Sequence, residues 1–127
     1  MGFRIAIGSC RCADGINSRN ASVRELCSRI NRRLERLRSF APEMLAKLPP
    51  LSSEEERIED RVVRFTTYRD NLQSGDQLIV VRGFLPSWRF PTYIGPAGIG
   101  YMYAEGLLLG ADRRLTNPDE KLLWPFR

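Results

Sequence analysis

A chain of 127 residues, 43% hydrophobic and 28% charged, is long enough to bury a core of its own, which argues against a wholly disordered chain or a scaffold that depends on disulfides or metal. The net charge of +5 favours an acidic partner, and the bias is almost all arginine, because only Lys47 and Lys121 among 20 basic residues are lysine. Histidine is absent, so Ser-His-Asp and Cys-His catalysis within this chain is excluded, together with the commonest zinc ligand.

The expected fold is α+β in one domain, residues 1–127. A helical part of two main helices and a short one (1–74) packs on a small antiparallel sheet or partly open barrel (75–127). Phe3 to Ile7 alternates weakly, as a short strand would, and Gly8 to Asn20 has the composition of a loop. Ser22-Val23-Arg24-Glu25 reads as a capping box. Val23, Leu26, Cys27, Ile30, Leu34 and Leu37 then recur at three and four and form one apolar stripe on a helix. Pro42 disfavours helical geometry at Ala41, which ends that helix, and a short one from Pro42 to Leu48 begins with proline in its first turn.

Ser53-Glu54-Glu55-Glu56 again has the form of a capping box, with acids at the positive end of a helix dipole. With Ile58, Val62, Phe65 and Leu72 on one side, it predicts a third helix over 53–73. After Gly75 the period changes. Leu78-Ile79-Val80-Val81 predicts a strand buried on both faces. Ile99–Glu105 and Leu107–Leu109, divided by Gly106, predict two more, and Leu122-Leu123-Trp124 a last one.

Three groups of residues are candidates for function. On the first helix Arg29, Arg32, Arg33 and Arg36 lie within about 100° of one another beside the apolar stripe. On the predicted third helix Arg57, Arg61 and Arg64 form a second stripe that Tyr68 extends, with most acids on the other flank. Either stripe can face an anion, pair with acids elsewhere in the fold, or simply be solvated. Third, Trp88, Arg89, Phe90 and Tyr93 lie in a proline-stiffened segment, and Trp124 and Phe126 make the C-terminus apolar. Such residues anchor protein interfaces, stack on unpaired bases, or fold inward as core.

No catalytic, cofactor or metal site is expected. No P-loop or dinucleotide fingerprint is present, and Cys10 and Cys12 with Cys27 fall short of a four-ligand zinc site. The low cysteine count, and an N-terminus without a secretory apolar core or a membrane-length apolar run elsewhere, predict a cytoplasmic protein with no membrane partner. The favoured function is a non-catalytic protein-interaction module: a subunit of an assembly, a homo-oligomer, or a small inhibitor or adaptor such as mobile elements encode. The alternative is a nucleic-acid-binding module with arginines on phosphates. A small histidine-free enzyme is the third reading.

Overall fold

The computed structural model describes residues 5–8, 21–86, 100–118 and 120–123. In chain order the elements are β1 (Ile5–Gly8), α1 (Ala21–Arg38), α2 (Pro42–Ala46), β2 (Leu51–Ile58), β3 (Arg61–Asn71), β4 (Gln77–Pro86), β5 (Gly100–Leu109), β6 (Leu115–Thr116) and α3 (Glu120–Leu123). The class is α+β. One long helix lies on an open sheet whose order is β1-β5-β4-β3-β2. Strands β2 to β5 form an antiparallel meander, β1 runs parallel to β5, and β6 folds back on β5 further along.

Helix α1 follows its expected stripe: Val23, Leu26, Cys27, Ile30, Leu34 and Leu37 are all buried. The helix is already under way at Ala21, so Ser22 lies buried in the first turn and is not its cap. The Glu25 carboxylate accepts from Arg29 Nε at 2.8 Å, one turn on. Helix α2 begins with Pro42 in its first turn, as expected, and buries Leu45.

The third predicted helix is not formed. Residues 51–71 make a β-hairpin of β2 and β3, so strands lie on both sides of residue 75. Six of the seven residues from Val62 to Tyr68 are β-branched or aromatic, side chains that lose rotamer freedom in a helix and pack well on a pleated surface. A two-residue turn joins the strands, with Glu59 at φ 58° and Ile58 facing Arg61. The barrel alternative fails with it, since β2 is a sheet edge with β3 as its neighbour in the sheet. Two further expectations are corrected. Residues 100–109 are one strand running through Gly106. Leu122 and Leu123 belong to the helical turn α3, and Leu123 packs with Leu78, Val80 and Ala104 on the sheet face away from α1.

The sheet is thus apolar on both faces around β4, as the run Leu78 to Val81 predicts: all four residues are buried. On the α1 side, Ile79, Val81 and Leu85 join Phe65, Tyr103, Leu107 and the helix stripe in the larger core. The approach of α1 depends on Gly83, where a Cβ would lie 2.8 Å from Leu26 Cδ1 and 3.0 Å from Ile30 Cδ1. Both side chains are fully buried, so yielding means displacing packed neighbours. A Gly83→Val variant is therefore expected to lose about 1–3 kcal/mol of stability, read as a lower denaturation midpoint in urea.

Two loops at the same end of the sheet share one geometry. Gly75 N–H donates to Leu72 C=O and Leu72 N–H to Asp76 C=O; Arg113 N–H donates to Gly110 C=O and Gly110 N–H to Arg114 C=O. Each is a three-residue hairpin loop whose last residue is left-handed, Gly75 at φ 89° and Arg113 at φ 69°. The Asp76 carboxylate bridges the two by accepting from Ala111 N–H at 3.2 Å. Glycine adopts this backbone freely and arginine does not, so Arg113→Gly is expected to stabilise the chain by about 0.5–1 kcal/mol, measurable as a higher melting temperature.

Candidate functional site

The register of the hairpin places its charges. Pairing of Ile58 with Arg61 puts Glu54 and Glu56 on the same sheet face as Val63 and Phe65, toward α1. From above, α1 presents Arg29 and Arg33, residues i and i+4 on its flank. Arg33 reaches Glu54 at 3.0 Å and forms a second ion pair with Glu56, while its guanidinium lies 4.4 Å from the Phe65 ring centroid. Arg29 bridges Glu25 at 2.8 Å and Glu56 at 3.4 Å and donates through Nη1 to the Arg57 carbonyl at 2.8 Å. The arginine stems cover apolar surface as their heads pair. This seam ties the helix to the outer strand of the sheet.

The other two arginines of the stripe stand differently. Arg32 and Arg36 are exposed, and neither forms an ion pair with a described carboxylate. Arg32 donates weakly to Ser28 Oγ at 3.4 Å. Together Arg29, Arg32, Arg33, Arg36 and Glu56 line an open cleft of about 100 Å³ between the helix flank and the hairpin.

The second predicted stripe is divided by its strand geometry. Arg57 and Arg64 project from the face away from α1, whereas Arg61 projects from the α1 face, because side chains alternate along a strand. Arg64 pairs with its cross-strand neighbour Glu55 at 3.2 Å on the exposed face. Arg61 is buried beside the turn, with Nη1 3.4 Å from the Pro86 carbonyl. Tyr68 lies on the Arg64 face, with the Arg82 guanidinium 5.0 Å from its ring centroid. Trp88, Arg89, Phe90, Tyr93, Trp124 and Phe126 lie outside the described residues, as do Cys10 and Cys12. Cys27 is a buried thiol in the α1 stripe.

Glu54, Glu55 and Glu56, which have the sequence of a helix start, stand in the edge strand β2. Arg69 N–H donates to the Pro50 carbonyl at 3.1 Å, which makes that couple a hydrogen-bonded one. Antiparallel couples alternate, so Ser52, Glu54, Glu56 and Ile58 turn their backbone groups toward β3. Leu51, Ser53, Glu55 and Arg57 turn theirs outward. The Arg57 carbonyl is taken by Arg29. The outward N–H and C=O groups of Leu51, Ser53 and Glu55 meet no backbone partner among the described residues. Leu51, 59% exposed, adds an apolar side chain at the start of this edge. Toward the other edge, β5 is paired by β1 at Gly100–Tyr103 and by β6 at Leu108 and Leu109.

Among the described residues no three His, Cys, Asp or Glu side chains group as a metal ion requires, and no helix is long and apolar enough to cross a membrane. Comparison with protein-family models, with curated proteins and with solved structures finds no match to this chain.

The division of the α1 arginines has a measurable consequence. Arg33→Ala removes two ion pairs and the cover over Phe65, and is expected to cost about 1–2 kcal/mol. Arg32→Ala and Arg36→Ala, which remove no described ion pair, are expected to stay within about 0.5 kcal/mol of the parent in urea denaturation.

Proposed function

We propose that this chain is a non-catalytic protein-interaction module that receives an extended segment of a partner protein as an added strand on the edge of β2. The observation that carries this reading is the row of outward backbone groups at Leu51, Ser53 and Glu55, presented by an eight-residue edge strand. An edge whose outward groups from Leu51 to Glu55 meet no backbone partner among the described residues is a template for β-augmentation, in which main-chain hydrogen bonds supply affinity and alternate side chains supply selectivity.

The charge pattern supports a partner different from this chain. In an antiparallel self-pairing of β2 centred on Glu54, Glu55 or Glu56, like charges would stand opposite one another, which is destabilising. A segment with an apolar residue beside Leu51 and a basic one beside Glu55 meets no such penalty. A protein partner is further supported over a nucleic acid by the internal pairing of Arg29, Arg33 and Arg64, which leaves fewer cations for a phosphate backbone. The lack of histidine in the sequence favours binding over catalysis.

Peptides selected from a random library against the full chain provide the test. The amide signals of Ser53 and Glu55 are expected to shift and gain exchange protection in the complex. Ser53→Pro is expected to weaken the selected peptides at least about tenfold, because proline removes an outward N–H while leaving every backbone bond to β3 in place and giving up only the 3.3 Å contact of Ser53 Oγ with Thr66 Oγ1. Peptides that bind Ser53→Pro as tightly as the parent, or that leave residues 51–57 unperturbed, would overturn the reading. Oligonucleotide binding that falls steeply with salt would favour the nucleic-acid alternative.

A further inference from the structure

The cleft between α1 and the hairpin suggests a second binding capacity, separate from the β2 edge. Four guanidinium groups and one carboxylate line it, so its walls carry an excess of positive charge. Glu56 is engaged by both Arg29 and Arg33, and Glu54 by Arg33. That pairing does two things. It neutralises the inner wall, and it fixes Arg29 and Arg33 at one side of the cleft, where their side chains are only 23% and 19% exposed. Arg32 and Arg36 form the outer wall one helical turn apart, with no described carboxylate as a partner.

Two guanidinium groups at that spacing can converge on one oxyanion. Arginine suits the task because its planar fork gives parallel N–H donors matched to the oxygens of a phosphate or carboxylate group. A compact dianion gains most, since it meets two cations that no described carboxylate pairs and stands within reach of the field of two more. A track of phosphodiesters fits less well. Beyond the cleft Glu35 on the helix and Glu54 on β2, each paired with an arginine of its own, interrupt the run of cations that a continuing polyanion needs.

We infer that Arg32 and Arg36, backed by the Arg29–Glu56–Arg33 network, form a site for a single terminal phosphate group, either free or carried on the side chain of a protein.

Inorganic phosphate titrated into the full chain, at ionic strength held constant with chloride, tests this directly. The Nε–Hε signals of Arg32 and Arg36 are expected to shift and saturate, while those of Arg24 and Arg113 move no more than in chloride. The Arg32→Gln/Arg36→Gln double variant is expected to weaken phosphate binding by about tenfold or more at an unchanged melting temperature, whereas Ser53→Pro leaves it unaltered. Unsaturable shifts, shifts equal to those of the two control arginines, or a double variant that binds like the parent would overturn the site. A phosphoserine peptide and a short oligonucleotide form the other arms. Tighter binding of the peptide than of inorganic phosphate assigns the group to a protein. Tighter binding of the oligonucleotide through the same two arginines contradicts a site for a terminal phosphate. Since Ser53→Pro touches none of the residues that line the cleft, failure here and failure of the strand-addition reading are separately visible.

Discussion

The two-residue turn at Glu59 and Asp60 sets the parity of every residue in the hairpin it closes. With Ile58 facing Arg61, the even-numbered positions of β2 turn their side chains toward α1 and their backbone groups toward β3. The odd-numbered positions do the reverse. A slip of one residue would send Glu54 and Glu56 to the far face, bring Glu55 and Arg57 beneath the helix, and set arginine against arginine where the seam now pairs opposite charges. The ion-pair seam and the open edge are therefore two consequences of one register.

The same register works only because the helix stands at a fixed height and rotation. Gly83 admits Leu26 and Ile30 onto β4, and that contact decides which flank of α1 overlooks the hairpin. Arg29 and Arg33 then meet carboxylates, while Arg32 and Arg36 meet none among the described residues. These pairs are partly exposed, so each stabilises the fold modestly. Their larger effect is geometric: they hold a sheet edge and an arginine cleft side by side on a firm support. A binding surface gains affinity from such pre-organisation, since less freedom is lost when a partner docks.

Much of α1 was legible in the sequence, because a helix lying on a sheet buries one continuous stripe and leaves a period of 3.6 in the residues. The buried run of β4 was legible for a related reason, since both of its faces are covered. The hairpin was not. Its core-facing row in β3 contains Arg61, Thr67 and Arg69 as well as Val63 and Phe65, so alternation is blurred, and Val62 and Val63 fall on opposite faces. Ile58, Val62, Phe65 and Leu72 happen to satisfy helical spacing, and three glutamates after two serines imitate a cap. The density of β-branched and aromatic residues from Val62 to Tyr68 was the better signal. At the C-terminal end, Leu122 and Leu123 fit one turn of helix as readily as a strand, and only the docking of Leu123 beside Gly106 distinguishes them. The members of an arginine stripe that pair with the hairpin's acids are likewise indistinguishable from the rest until the hairpin supplies those acids.

Native-state hydrogen exchange along residues 51–58 tests the central claim most directly, because it reads the parity of an edge strand one amide at a time. Slow exchange at Ser52, Glu54, Glu56 and Ile58, alternating with fast exchange at Leu51, Ser53, Glu55 and Arg57, is the result expected of an edge open to a partner. Uniform protection across the segment, or the inverse alternation, would contradict it.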